Sequence, residues 1–199
     1  MPHSQFNNIS LFADPIHEYI QFTVPSEKTS STESTEKDLI DSPWVQRLRY
    51  IYQLQSARWV YPSAEHSRFQ HSLGAMHLAG RYAKHVYPSL ADTVSKIPSL
   101  PYIEELLRVA ALLHDIGHGP FCHFFDHHVL KLFNLSHEQV GQHIILYELN
   151  TLIRKLKRSP SGPFKKDEEL NPNHIAFLIL KDPNKIVGDI LVGFSSFSL

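Results

Sequence analysis

The chain has 199 residues, 42% of them hydrophobic and 20% charged, which is enough for one domain with a substantial core. A net charge of -1 with histidine neutral excludes a strong whole-chain electrostatic case for nucleic acid or an anionic membrane. The single cysteine, Cys122, excludes an intrachain disulfide.

Residues 11–24 (LFADPIHEYIQFTV) open with a turn signal, Asp14-Pro15. After it Ile20, Phe22 and Val24 alternate with polar neighbours, with Glu18 breaking the parity, so a short strand is expected, as half of a small hairpin. Residues 26–38 are Ser-, Thr-, Glu- and Lys-rich and read as a mobile loop. Ser42-Pro43 is a helix start, followed by Trp44, Leu48, Ile51, Tyr52 and Gln55 at helical spacing, with Arg47 and Arg49 off that face. Trp59-Val60-Tyr61-Pro62 breaks this helix.

A second helix is expected over 68–86, with Phe69, Leu73, Met76, Gly80 and Ala83 as its core stripe and Tyr87-Pro88 as its end. His71 lies off the stripe, among Gly74, Ala75 and Leu78, where small neighbours leave room beside the imidazole. A third helix, from about Tyr102, runs through Leu106, Ala110 and Leu113 to His114-Asp115. Phe121, Phe124, Phe125, Val129 and Leu132 suggest a short buried helix. Ser136-His137-Glu138-Gln139 fits a capping box opening a long helix to about Arg158. Residues 159–163 read as a loop and 165–169 as a solvated charge run; Asn171-Pro172 starts a last helix. The expected fold is therefore all-α, a helical bundle with a small N-terminal strand or hairpin. Its parts would be residues 1–40, a strand and polar loop; 41–182, the helical core; and 183–199, a divergent tail.

The 14 histidines are the anomaly. The stretch 109–126, VAALLHDIGHGPFCHFFD, ends a buried run in adjacent His114 and Asp115, both costly to bury without a partner. A divalent cation is the simplest partner, and a mixed His/Asp set suits Mn, Mg, Fe, Ni or Zn. Arg68 and His71, three apart on one helix face, set a cation beside a candidate ligand, a place for a phosphate oxygen. His118 either continues the face of His114 or, if Gly117 breaks the helix, heads the turn. His123 and Asp126 are spaced to pair, with the carboxylate fixing the imidazole tautomer. His137 sits in a first helical turn. His127 and His128 are left as surface or core histidines.

The segments Arg68-Phe-Gln-His71-Ser-Leu-Gly, Leu-Leu-His114-Asp115-Ile-Gly-His118-Gly-Pro-Phe-Cys-His123-Phe-Phe-Asp126 and His137-Glu138 resemble the HD-domain phosphohydrolases. The similarity is closest to the deoxynucleoside triphosphate triphosphohydrolase-like branch. Asp14-Pro-Ile-His17 and Asp41-Ser-Pro-Trp-Val-Gln46-Arg-Leu-Arg49 resemble that branch as well. The resemblance implies a metal-dependent hydrolase of (deoxy)nucleoside triphosphates or other phosphoesters. It implies His71, His114 and Asp115 as metal ligands. His118, His123, Asp126 and His137 would be the acid–base and phosphate-contacting group, and Gln53 and Arg68 the contacts to sugar and phosphate. Asp41, Gln46 and Arg49 match positions where some relatives bind a regulatory nucleotide between subunits, so a homo-oligomer is implied too.

The family completes its metal site with an aspartate in a segment resembling D-x-D-x-x-D-Y, which this chain lacks; neither Asp182 nor Asp189 takes that role. The expectation is a chain truncated or diverted before the fourth ligand and before the C-terminal helices. The competing reading is a catalytically impaired fragment or a nucleotide- or partner-binding module. The absence of a signal-peptide pattern and of a bilayer-spanning apolar run leads to an expected cytoplasmic location, with no membrane partner and no indication of nucleic acid.

Overall fold

The computed structural model describes residues 8–26, 30 and 32–180. The expected tail, 183–199 with Asp189, and Asp182 at the end of the expected core lie outside the described residues.

The N-terminal hairpin pairs β1 (Ile9–Asp14) with β2 (Glu18–Thr23) antiparallel, Phe12 opposite Ile20. Asp14 Oδ1 accepts from the Ile16 and His17 amides at 2.9 and 2.8 Å and fixes the turn. The alternation works as expected: Ile20 and Phe22 face the core, while Ile16 stands exposed in the turn.

The polar stretch that follows is not all loop. Its end forms α1 (Glu36–Ile40), and Glu36 is fully buried. Composition reads this stretch as solvated because the partner of Glu36 is remote: Arg108 Nε donates to Glu36 Oε1 at 2.6 Å. Helix α2 (Pro43–Gln46) begins at Ser42, whose Oγ accepts from the Val45 amide. The expected long helix stops there. The chain tightens into a 3-10 turn (Arg47–Tyr50), and Ile51 becomes extended. The reason is competition for backbone partners: the Arg68 amide donates to Ile51 O at 2.8 Å and the Gln53 amide to His66 O at 3.1 Å. Val45, Leu48 and Ile51 still reach the core.

Two helices carry the domain. The first, α3 (Arg68–Thr93), starts at a capping box of Ser67 and Gln70 and packs most extensively on α4 (Leu100–Leu113). Pro88 lies inside α3 rather than ending it. A proline costs about 3 kcal/mol in a helix interior. Here the Tyr87 hydroxyl holds the extension by donating to Pro98 O at 2.9 Å.

After α4 come a short α5 (His123–His128) and a 3-10 turn (Leu130–Phe133). The expected buried helix is not buried: Phe121, Phe124 and Leu132 are exposed, and Leu130 supplies the core contact. Positive φ at Phe121 and Cys122 (59° and 49°) turns the cysteine inward and Phe121 outward. The Ser136–Gln139 capping box opens α6 (His137–His143) as expected. The long helix is instead segmented, through a π turn (Ile144–Glu148), into α7 (Asn150–Arg154). It ends because Ser159 Oγ donates to the buried Glu104 at 2.6 Å, drawing a second hairpin, β3 (Arg158–Ser159) and β4 (Gly162–Pro163), onto α4. Residues 165–169 are not wholly solvated either, since Glu168 caps Ser99. Helix α8 (Pro172–Leu180) covers α4 and α6. The fold is helical with a small N-terminal hairpin. No helix among the described residues is long and apolar enough to cross a membrane.

Candidate metal and phosphate site

Local chemistry at the end of α4 creates the site. His114 is the C-cap, and its Nδ1–H donates to Ala111 O at 2.7 Å, since a carbonyl can only accept. In the neutral ring this leaves the Nε2 lone pair facing away from the helix. That atom stands 3.1 Å from His71 Nε2 and 3.3 Å from Asp115 Oδ2, and His71 Nε2 is 3.6 Å from the same oxygen. Donors bound about 2.1 Å from one ion stand roughly 3.0 Å apart in octahedral and 3.4 Å in tetrahedral order. The three donors therefore fit a single divalent cation, and two nitrogens with one carboxylate oxygen suit a borderline first-row metal.

Arg68 is buried behind this cluster. Its Nη1 donates to Asp115 Oδ2, and its Nε donates to Cys122 Sγ at 2.9 Å. Burial alone would push the Asp115 carboxyl up. Hydrogen bonds from His114 and His118, with the charges of His114 and Arg68, outweigh it and hold the group far below the usual carboxylate range. Burial lowers the His71 imidazole, helped by the nearby charge of His114. His114 is also disfavoured by burial, but its hydrogen bond and attraction to Asp115 prevail and raise it.

The chain then turns: the His118 amide donates to Asp115 O at 3.1 Å, so His118 heads a turn rather than extending α4. Its ring is 1% exposed and lies between two carboxylates, with Nε2 3.5 Å from Asp115 Oδ1 and Nδ1 3.4 Å from Asp126 Oδ2. Burial pushes this imidazole down. Asp126 Oδ2 also accepts from His123 Nδ1 at 3.3 Å, and His137 Nδ1 stands 2.8 Å from the same oxygen. The His118 and His137 rings stack at 3.7 Å. The ligand atoms of His118, His123, Asp126 and His137 lie within 4.8 Å of one another, as do those of His71, His114 and Asp115. Asp115 joins the two clusters.

Gln53 sits on the segment paired with the approach to α3, its Oε1 buried without a hydrogen-bond partner among the described residues. Asp41 pairs with Lys37, Gln46 bridges Ile40 O and Arg49 Nε, and Arg49 lies over the Phe69 ring at 3.7 Å. His127 and His128 are on the surface. Two contributors escaped the sequence reading. Arg47 Nη1 donates to His118 O at 2.7 Å and Nη2 to Ile116 O, clamping the turn. Cys122 receives Arg68. Arg47 gave one signal, its place off the apolar face of its segment; Cys122 gave none.

Separate segments of a helical domain thus deliver two histidines and an aspartate that could hold one cation, beside a buried arginine. The model of the HD domain family matches residues 68–178, more than half of the chain, and the chain belongs to that family. It is 36% identical over 167 residues to the uncharacterised protein YwfO of Bacillus subtilis, covering 81% of this chain and 33% of the relative. It is 36% identical over 140 residues to the deoxynucleoside triphosphate triphosphohydrolase SAMHD1 of Bos taurus, covering 67% of this chain and 21% of that protein. Similarity to SAMHD1 of Mus musculus is 40% over 126 residues, 62% of this chain and 17% of the relative. The chain thus spans a third or less of the length of these relatives.

Proposed function

We propose that this protein is a metal-dependent phosphohydrolase acting on (deoxy)nucleoside triphosphates. The observation that carries the reading is the approach of His71 Nε2, His114 Nε2 and Asp115 Oδ2 to within 3.1–3.6 Å of one another, with Arg68 bound to the same carboxylate. His71, His114 and Asp115 would hold the ion. A divalent ion there polarises phosphate oxygens and lowers the pKa of a nearby water.

The protein's own groups do the rest. Arg68 meets phosphate charge with a guanidinium kept rigid by Asp115 and Cys122. Gln53, with a buried amide oxygen lacking a partner among the described residues, binds the sugar hydroxyl. His123, mostly exposed and hydrogen-bonded to Asp126, is placed to give a proton to the leaving 5′-oxygen. His118 and His137, stacked and shared by Asp126, hold phosphate oxygens and relay the proton released by the attacking water. The bond between the α-phosphorus and the 5′-oxygen breaks, water supplies OH to phosphorus and H to the sugar oxygen, and deoxynucleoside and triphosphate leave. The name of the SAMHD1 relatives supports the choice of dNTPs.

The test is a panel of nucleotides with added Mn or Mg. Release of nucleoside and triphosphate, lost in His114→Ala and Asp115→Ala, is expected. No turnover with any nucleotide, in protein carrying stoichiometric metal, would overturn hydrolysis and leave a binding module.

A further inference from the structure

We propose that Arg47 is a positioning residue for the acid–base group: its guanidinium grips both ends of the turn 116–118 and so sets where the rings of His118 and His137 stand. The assignment rests on the hydrolase reading above; the spectroscopic arm of its test does not.

The turn needs an outside support. Glycines occupy positions 117 and 119, and glycine adds conformational freedom rather than stiffness. The His118 ring does not supply the anchor. Its Nε2 stands 3.5 Å from Asp115 Oδ1 and its Nδ1 3.4 Å from Asp126 Oδ2, at the outer edge of hydrogen bonding. Nδ1 is buried without a hydrogen-bond partner among the described residues. A ring held this loosely by its own atoms, yet 1% exposed, is placed by its backbone.

Arg47 holds that backbone. Nη1 donates to His118 O at 2.7 Å, and Nη2 donates to Ile116 O. One planar guanidinium thus orients the peptide entering Gly117 and the peptide entering Gly119. The base of the side chain is firm, because Val45 and Leu48 on either side of it in sequence are fully buried. Burial lowers the Arg47 pKa, and no carboxylate among the described residues pairs with it. Its Nε is buried without a hydrogen-bond partner among those residues. This cation therefore spends its charge-assisted hydrogen bonds on one turn, and its removal is felt there.

The grip reaches His137 through the glycine. A Cβ on Gly117 would stand 1.8 Å from His137 O and 2.6 Å from the Gly141 nitrogen, so the turn lies in backbone contact with α6. The His137 ring stacks on that of His118 at 3.7 Å. A turn released from Arg47 would shift against α6 and disturb this stack. A misplacement of about 1 Å can cost about 100-fold in rate. The candidate cation ligands are held by other groups: His114 by Ala111 O, and Asp115 by Arg68.

The test compares Arg47→Lys and Arg47→Ala with the unaltered chain, each in full and loaded with manganese. Lysine keeps the charge but cannot bond two carbonyls in a planar fork. Both variants should keep the circular dichroism and manganese content of the unaltered chain. The kcat for nucleotide hydrolysis should fall about tenfold in Arg47→Lys and further in Arg47→Ala, with KM little changed. Millimolar guanidinium should restore part of the kcat of Arg47→Ala, and methylammonium, which has no fork, should not. With nitrogen-15-labelled histidine, the ring signals of His118 and His137 should move in Arg47→Lys while those of His17 and His77 stay.

A folded Arg47→Lys whose His118 and His137 signals stay put would overturn the proposal, and so would an undiminished kcat. A raised KM at unchanged kcat would overturn it by making Arg47 a substrate contact. Loss of the fold in both variants would do so as well, since Arg47 would then hold the domain rather than the turn. No turnover in the unaltered chain would sink the hydrolase reading instead, and the histidine signals would decide the placement alone.

Discussion

Gly117 lies so close to the backbone of His137 that a Cβ on it would stand 1.8 Å from the His137 carbonyl oxygen. This approach brings the start of α6 against the turn that holds His118. Gly117→Ala should destabilise the protein by about 3 kcal/mol, because backbone on both sides must move. Gly141 faces the same junction, but a Cβ there meets its nearest atoms at 3.5 Å, an ordinary contact. Gly141→Ala should be neutral or raise stability by up to about 1 kcal/mol through helix propensity. Urea denaturation of both variants checks the contrast.

Cys122 is the hub behind Arg68. Its sulfur accepts from Arg68 Nε at 2.9 Å and donates to Tyr52 O at 3.2 Å, tying the segment that carries Gln53 to α3. Cys122→Ala should cost about 1.5–3 kcal/mol, the range for a buried bond to a charged group. Cys122→Ser keeps both a donor and an acceptor and should recover most of it. Thermal melting of the two variants gives the comparison.

The buried pair of Arg108 and Glu36 welds α4 to α1. Arg108 also donates through Nη2 to Gln21 O at 2.7 Å, which secures the hairpin. Glu36→Ala leaves a buried guanidinium without its counter-charge, and a loss of about 3–5 kcal/mol is expected. Gly80→Ala, whose Cβ would come 2.8 Å from Arg108 Nη1, should destabilise less, by about 1–3 kcal/mol. Equilibrium unfolding in urea orders the two.

Glu105 is fully buried on α4, and neither carboxyl oxygen has a hydrogen-bond partner among the described residues. Burial and the charges of Glu36 and Glu104 raise its pKa well above the usual carboxyl range, against the pull of Arg108 and Arg158. The folded chain therefore holds this proton more tightly than the unfolded chain. Its contribution is fully present below the unfolded pKa and is lost as pH rises toward the folded one. Glu105→Gln should remove that loss. The variant should be more stable than the unaltered protein at the alkaline end of a pH series of melts, with the advantage shrinking toward acid pH.

Ion binding by His71, His114 and Asp115 would stabilise the folded chain. Saturating metal at 100 times its dissociation constant adds about 2.7 kcal/mol. Chelator should lower the melting temperature of the unaltered protein, and readdition should restore it. In Asp115→Asn protein the response should be much reduced.

Much of this molecule follows from local chemistry. Ser42-Pro43 and the Ser136–Gln139 box mark helix starts, and the hairpin alternation places Ile20 and Phe22 inside, because caps and periodicity act over three or four residues. The motifs around His71, His114 and Asp115 likewise pick out three side chains that α3 and α4 bring together. Other features are set by partners far along the chain. Glu36 is buried because Arg108 awaits it 72 residues later; Ile51 leaves the helix because Arg68 takes its carbonyl; Arg47 reaches the carbonyl of His118, 71 residues away. A short window of sequence records the propensity of each segment, but not which distant backbone or charge will compete for its hydrogen bonds. That competition is decided by how the helices dock.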